Sequence, residues 1–188
     1  RRLELIQTIG ACGPEAITAV PVLEARLAGT NKTEILYTCA ALCQIVPRHA
    51  TAGPMLKSAL RNRTSRRTAL GAVQAMGIAA RDFRSDLEAL ANDLDAWSSF
   101  WALDTLYIIA PEAALEILAR RLKSSQVDVR ITAAGWILQV HPNHAPAHEV
   151  LIEVLKSGQK SPSRSYAVEQ LGKATSPSPE LITLLESI

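Results

Sequence analysis

The feature that most constrains the fold is a pair of leucines that recurs about every 32 residues along the chain. The two leucines of a pair are four residues apart, so they share one face of a helix and predict a buried stripe. The pairs are Leu23 and Leu27, Leu56 and Leu60, Leu118 and Leu122, Leu151 and Leu155, and Leu181 and Leu185, while the third row has Leu87 and Ala91. Because the stripe is copied from row to row, we expect the neighbouring copy to cover it.

A second helix, which precedes the leucine helix in each row, carries a small residue about one turn before a bulky one. The small residues are Ala40, Ala69, Ala102, Ala133 and Ala167. The bulky residues that follow include Val73, Leu106, Ile137 and Leu171. This spacing indicates one apolar stripe per helix, and the alanines would let two helices approach closely.

Breaks in the helical pattern divide each row into two helices and separate one row from the next. Within the rows they fall at Gly13-Pro14, Val46-Pro47, Gly77-Ile78, Ala110-Pro111, His141-Pro142 and Ser176-Pro177. Proline is accepted in the first turn of a helix but not in its interior, so we expect each second helix to begin there. Between the rows lie the links Gly29 to Lys32, Asn62 to Ser65 and Lys156 to Lys160. These links are too short to be flexible domain linkers.

These patterns predict an all-α chain that forms one continuous solenoid over residues 1–188. The predicted architecture is a right-handed α-α superhelix of about six helix pairs. The repeats are expected at roughly 1–29, 30–62, 63–94, 95–125, 126–159 and 160–188. Because the first helix starts without a capping residue, we also expect the chain to be a segment of a longer protein.

Two rows resemble the HEAT-like repeats, an armadillo-like class, of phycobilisome lyases and of many bacterial multidomain proteins. The first row, TIGACGPEAITAVPVLEARL, is similar to the glycine-proline turn and Val-Pro-x-Leu helix of that family, and VDVRITAAGWIL is similar to its first helix. The resemblance implies a bacterial interaction surface. It also implies that Arg130, and Arg66 and Arg164 at the matching positions, pair with acids across neighbouring repeats, whereas Ser99 replaces this arginine in the fourth row.

Composition narrows the function classes. A formal charge of +2 predicts neither strong nucleic-acid binding nor adhesion to an anionic membrane. The cysteines Cys12, Cys39 and Cys43 have no ligand-like spacing, so they favour reduced, buried thiols over a disulfide framework or a zinc site, and slightly favour the cytoplasm. No apolar stretch approaches the roughly 20 residues that cross a bilayer, which predicts a soluble chain.

The resemblance and the absence of catalytic signatures favour a non-catalytic protein-interaction or structural scaffold module, without cofactor or metal. Its partner would be another protein or another domain of the same parent chain. The stretch from Ile35 to Arg81 contains no acid, and a cluster of four arginines within it, together with two arginines further along the chain, forms the candidate binding set. These candidates are Arg61, Arg63, Arg66, Arg67, Arg120 and Arg121. The alternative is a nucleic-acid-binding solenoid that uses the Arg61 to Arg67 loop, although no aromatic platform is expected beside it.

Two further clusters are interpreted mainly as structural. Trp97, Trp101 and Asp104 fall on one helix face and are similar to the aromatic and carboxylate set of HEAT-like alkylpurine DNA glycosylases, which is the third and least favoured hypothesis. We interpret the tryptophans as packing residues.

The histidines of the fifth row, His141, His144 and His148, lie near Glu149, but a pair without a third ligand is weak evidence for a metal. Cys39 and Cys43 lie in an apolar stripe and are expected to be small core residues rather than nucleophiles.

Overall fold

The computed structural model of the chain describes residues 1–93, 96–156 and 162–173, and every regular element in these ranges is a helix. The prediction of an all-α chain is therefore confirmed for the described residues. Contacts group the chain into two compact units, of which the first is Arg1–Ala114 and the second begins at Leu115. The predicted single solenoid and its repeat boundaries stay predictions.

The first unit contains two 3-10 helices, Gly13–Ala19 and Gly77–Phe83, among its α-helices. Its α-helices are α1 Arg2–Ala11, α2 Val20–Arg26, α3 Lys32–Ile45, α4 Ala52–Arg61, α5 Arg66–Ala75, α6 Arg84–Ala91 and α7 Ala96–Ile109. The next helix, α8, covers Pro111–Arg121, and the division between the units falls within it. The later helices are α9 Val127–Val140, α10 Ala145–Lys156 and α11 Pro162–Lys173.

The predicted helix breaks agree with the structure wherever they fall on described residues. Each of the helices α1, α3, α5, α7 and α9 ends one or two residues before the glycine or proline that the sequence indicated. Proline begins α8 at Pro111, where its missing N–H is not needed by the helix. The break at Ser176-Pro177 lies outside the described residues.

Among the described rows, the expectation that each second helix begins at its break is wrong except at Pro111, since α4 begins five residues after Pro47 and α10 three residues after Pro142. After Gly13 and Gly77 the chain first forms the two 3-10 helices, so α2 and α6 begin seven residues later. Both glycines have a left-handed backbone, with φ of 58° and 54°, which turns the chain away from the preceding helix. Because the 3-10 helices occupy the first part of each second helix, α2 and α6 are short.

The predicted leucine pairs are buried in the described rows, except that Leu27 is only partly buried. The first leucine of every pair is buried, as are the small and bulky residues predicted on the preceding helices. These buried leucines are Leu23, Leu56, Leu87, Leu118 and Leu151. Ala91, which replaces the second leucine in the third row, is also fully buried. Leu181 and Leu185 lie outside the described residues.

Close packing of the first helices organises the first unit. Successive first helices contact one another, α1 with α3, α3 with α5, and α5 with α7. The approach of α1 to α3 is close enough that a Cβ on Gly10 would lie 2.8 Å from the Cα of Ala41. In the second unit α9 contacts both α10 and α11. Glycine and alanine are thus required at these crossings because a larger side chain would separate the helices.

Two arginines in equivalent positions each bind a carbonyl at or after the end of the preceding helix, on α4 for Arg66 and in the link after α8 for Arg130. Arg66 donates through Nε to the Leu60 carbonyl at 3.0 Å, and Arg130 donates through Nη1 to the Ser124 carbonyl at 3.0 Å. Carbonyls at helix ends lack partners within the helix, so the bond from Arg66 satisfies an acceptor at the end of α4 that would otherwise be open. In the fourth row Ser99 has this role, since its hydroxyl donates to the Ala91 carbonyl at 3.0 Å.

The same arginines form ion pairs, but not as the resemblance implied. Arg66 pairs with Asp93 at 2.9 Å, and Arg130 lies 3.6 Å from Glu153. Each acid belongs to the same predicted repeat as its arginine, so the expectation of pairing across neighbouring repeats is wrong for these two residues. The physical reason is that each arginine is held by a carbonyl just before its own helix and from there reaches an acid on, or just after, the second helix of its own repeat. The side chain of Arg164 lies outside the description.

Candidate functional sites

The prediction that Arg61, Arg63, Arg66 and Arg67 share one loop is wrong in part, because only Arg63 lies in the link between α4 and α5. Arg61 is the last residue of α4, and Arg66 and Arg67 are the first two of α5; the four residues together are called the arginine loop. Arg61 donates through Nη2 and Nε to one carboxylate oxygen of Asp86, at 3.0 and 3.3 Å. Arg66 is only 15% exposed at its side chain and is engaged by Asp93 and by the Leu60 carbonyl. Two of the four positive charges of this loop are therefore paired with carboxylates, one on α6 and one two residues after its end.

An aromatic group does accompany the arginine loop, contrary to expectation. The guanidinium carbon of Arg67 lies 4.7 Å from the ring centroid of Trp97. The Trp97 ring in turn lies 5.5 Å from that of Trp101, which Phe100 meets edge-on at 6.1 Å. Trp97 was not expected near the arginines from the sequence, because it lies about one repeat further along the chain. Packing of α5 against α7 brings Arg67 and Trp97 together.

Asp104, the carboxylate of the glycosylase hypothesis, accepts a hydrogen bond from a glutamine side chain. Gln74 on α5 donates to a carboxylate oxygen of Asp104 on α7 at 2.5 Å. Trp97 and Trp101 are both partly exposed. Trp97, Trp101 and Asp104 thus lie along α7 as predicted, and glycosylase chemistry stays a prediction.

The remaining predicted binding residues, Arg120 and Arg121, lie in the last turn of α8. Arg120 is exposed, whereas Arg121 is half-buried and burial lowers the pKa of its guanidinium from the ordinary value. A positive side chain at the end of a helix is stabilised by the helix dipole. Their position is therefore explained by local structure, and a binding role for them stays a prediction.

Two histidines of the fifth row, His144 and His148, form hydrogen bonds with backbone groups. Nδ1 of His144 accepts the N–H of Ala147 at 3.2 Å and so caps the start of α10. Nε2 of His148 lies 2.7 Å from the Pro142 carbonyl and must donate to it, since a carbonyl only accepts. Nothing in the described part of the chain assembles three or more histidine, cysteine or carboxylate groups for a metal ion.

The prediction of buried thiols is confirmed for Cys39 and Cys43 and is wrong for Cys12, because the end of α1 leaves that side chain exposed. Cys39 and Cys43 are buried, and burial raises the pKa of Cys39 to about 11 and that of Cys43 to about 12. Cys12 is exposed at the end of α1. A neutral buried thiol is a poor nucleophile, so Cys39 and Cys43 act as small apolar residues in α3.

A groove that the sequence did not indicate lies in the first unit, with a volume of about 450 Å³. It is bounded by the end of α3, by the turn over residues 47–50, by the first turns of α4, and by residues 78–83 of the second 3-10 helix. Apolar side chains, among them Pro47, Ile78 and Phe83, form much of its lining, and Ile78 is exposed. The groove exists because the left-handed turn at Gly77 makes the chain follow a 3-10 path where a second helix would start.

Three cations surround this groove. Arg48 is 86% exposed at its side chain and its Nε lies 3.7 Å from an Asp82 oxygen, while Arg81 is exposed. The ammonium nitrogen of Lys57 lies 5.7 Å from the ring centroid of Phe83. With one acid among these three bases, the groove has a net positive field over an apolar floor.

His49 supports one side of the groove. Its Nδ1 accepts the N–H groups of Thr51 and Ala52 at 3.3 and 3.2 Å and so caps the start of α4. The common signal for both capping histidines was present in the sequence, as Pro47-Arg48-His49-Ala50 and Pro142-Asn143-His144-Ala145. The absence of acids from Ile35 to Arg81 was also visible in the sequence. Only the fold shows which basic residues of that stretch line the groove and which belong to the arginine loop.

Comparison of the chain with protein-family models, with curated proteins and with solved structures finds no match. Among the helices that the structure describes, none has the length and apolar character needed to cross a membrane.

Proposed function

We propose that the chain is a non-catalytic protein-interaction module, and that its groove binds a segment of another protein or of another domain of the same parent chain. The proposed architecture is the right-handed α-α superhelix of about six HEAT-like helix pairs across residues 1–188. The buried leucine register and the successive contacts of α1, α3, α5 and α7 support it. Function must nevertheless be argued from the site, because one fold serves many functions.

The observation that carries this proposal is the groove at the turn between α3 and α4. Its volume of about 450 Å³ is large enough for a few side chains, and its apolar floor favours burial of hydrophobic groups. Peptide recognition commonly combines an apolar pocket with a few oriented polar groups. A groove of this kind fits an extended protein segment better than it fits a flat macromolecular surface.

The groove cations are more available than those of the arginine loop. Arg61 and Arg66 form ion pairs of 3.0 and 2.9 Å with acids of their own fold. Arg48, by contrast, is separated from Asp82 by 3.7 Å, and both side chains are open to water. An exposed ion pair of this length contributes about 0 to 1 kcal/mol, so a ligand can replace it at little cost.

Selection from a library of random peptides about a dozen residues long tests the proposal. Selected peptides are labelled and their affinities measured by fluorescence anisotropy for the wild type and for the double variant Lys57→Glu and Arg81→Glu. We expect binding that this variant weakens by at least about tenfold, since two charge-assisted contacts are reversed. The variant Lys32→Glu and Lys123→Glu is the control, because it changes two exposed lysines outside the groove by the same charge. Equal losses in both variants, or no selected peptide, would contradict the proposal.

A second candidate, binding of single-stranded nucleic acid, is favoured by one observation. Arg67 over Trp97 supplies the aromatic platform beside positive charge that base stacking requires. Exposed Arg63 would add a phosphate contact from the same loop. This candidate comes second because Arg61 and Arg66 already form ion pairs with acids of the fold, which leaves less positive charge for phosphates.

Binding of labelled single-stranded DNA and RNA at two salt concentrations tests this candidate. If it holds, affinity falls steeply with salt, and Trp97→Ala and Arg63→Glu each weaken binding. Salt-dependent binding that survives both substitutions, or no binding at low salt, would eliminate it. Charge-matched Lys123→Glu is the control for a general loss of positive charge.

A further inference from the structure

The turn that forms the groove contains a residue in an unfavourable backbone conformation. Three of the described residues have positive φ, namely Gly13 at 58°, Arg48 at 60° and Gly77 at 54°. All three follow the end of a first helix, and two of them are glycine, which adopts this conformation freely. Arg48 has a Cβ that crowds its own backbone in the left-handed region, so the fold would be more stable with glycine there.

Among the described residues, the side chain of Arg48 makes one ion pair, and it is a loose one. The side chain is 86% exposed, and its Nε lies 3.7 Å from an oxygen of Asp82, which is itself 44% exposed. Strained residues that persist without a structural reason are concentrated at binding sites, where the side chain itself is needed. The guanidinium of Arg48 is therefore the group at this turn whose use lies outside the folded chain.

We propose that Arg48 determines the specificity of the groove by binding a carboxylate of an acidic protein segment, which displaces Asp82. This inference rests on the proposed function of the groove as a peptide site. Asp82 indicates the chemistry, because it already places a carboxylate oxygen near Nε of Arg48. Guanidinium binds carboxylate through parallel hydrogen bonds, and a looser internal pair leaves those donors free for a ligand.

The other groove residues complete the recognition of such a segment. Lys57 and Arg81 add positive charge on the α4 and 3-10 sides of the groove. An apolar side chain next to the ligand carboxylate would be buried against Ile78 and Phe83. The expected ligand is thus a short acidic segment with one hydrophobic anchor, rather than a uniformly acidic tail.

Arg48→Gly separates the binding role of this residue from any structural role. The probe is a fluorescein-labelled peptide of glutamates flanking one leucine, compared with the same peptide in which glutamine replaces glutamate. We expect the wild type to bind the glutamate peptide about tenfold more tightly than the glutamine peptide, since the charged hydrogen bonds are lost. Arg48→Gly should lose that preference while its melting temperature stays equal or rises. Asp82→Asn should tighten binding of the glutamate peptide, because it removes the competing carboxylate.

The outcomes distinguish this inference from the proposed function. If Arg81→Glu weakens binding but Arg48→Gly leaves affinity and glutamate preference unchanged, the role of Arg48 is wrong and the groove remains a peptide site. If a phosphoserine probe binds much more tightly than the glutamate probe, the carboxylate assignment is wrong. If neither probe binds the wild type, the inference is overturned, and the library selection decides separately whether the groove binds peptides.

Discussion

Nε2 of His49 lies 3.1 Å from a carboxylate oxygen of Glu24, so this ring connects α2 to the start of α4. Because Nδ1 accepts backbone N–H groups, the proton of the neutral ring is on Nε2, which donates to Glu24. His49 is buried while Glu24 is half-exposed, so the histidine depends on these partners more than the glutamate does.

His49→Ala should therefore lower the free energy of unfolding by about 0.5 to 2 kcal/mol, the usual effect of losing a helix cap. His49→Asn should retain most of that stability, since an asparagine oxygen also accepts N–H groups at a helix start. Urea unfolding of the two variants measures the difference. Equal losses would mean that the ring packing, and not the cap, is what stabilises this turn.

Leu118→Ala tests the leucine register. Leu118 is almost completely buried in α8, so its truncation should destabilise the protein by about 2 to 5 kcal/mol. Leu5→Ala is the matched control because Leu5 is exposed, and its effect should be within about 0.5 kcal/mol. A loss at Leu118 as small as that at Leu5, measured by urea unfolding, would show that the assigned register is wrong there.

Two glycine substitutions test the close packing of the first helices. Gly10→Ala should be destabilising, because its Cβ would lie 2.8 Å from the Cα of Ala41 and the backbones would have to separate. Gly172→Ala should raise the free energy of unfolding by up to about 1 kcal/mol, since open space surrounds that position and alanine favours helix. Thermal unfolding of both variants is the measurement. A stabilising Gly10→Ala would contradict the close approach of α1 and α3.

The buried thiols predict a selective reaction. At about pH 8 iodoacetamide should modify Cys12 in the folded protein and leave Cys39 and Cys43 unmodified, whereas all three should react in denaturant. Mass spectrometry of peptides locates the label. Rapid native modification of Cys43 would show that the groove admits solvent down to α3.

The same thiols predict a loss of stability at high pH. Their pKa values in the fold, about 11 and about 12, exceed the ordinary value of 9.0, so the unfolded chain releases these protons first. Their contribution to stability is complete below about pH 9 and is lost as pH rises through the folded values. Urea unfolding from neutral to alkaline pH should therefore decline less in a Cys39→Ala and Cys43→Ala variant than in the wild type. Parallel declines would assign the effect to other groups.

The helices and their buried faces were predictable from the chain alone. Leucines at a spacing of four bury one face of a helix, and glycine or proline ends it, whatever the surroundings are. This explains why the breaks at Val46-Pro47 and Ala110-Pro111 and the burial of Leu56 agree with the structure. The two 3-10 helices were missed because their start depends on left-handed glycines, and many glycines in sequence have no such role.

Contacts across repeats were not predictable in the same way. Arg67 meets Trp97, and Arg61 meets Asp86, only because helices about one repeat apart in the chain pack together. The four arginines of the loop looked alike in sequence, yet two of them are neutralised by acids and one lies on an aromatic ring. Which cations remain available for a ligand depends on distances of a few ångströms between neighbouring helices.

The sequence by itself determined that the described chain is helical, where most of its helices end, and which leucines are buried. These properties follow from local periodicity and from backbone limits of single residues. The tertiary structure decided that Arg48, Lys57 and Arg81 surround an apolar groove, because they lie on a turn, a helix and a 3-10 segment that only packing brings together. Interactions between charges depend on spatial distance and burial, so their partners are fixed when the helices pack.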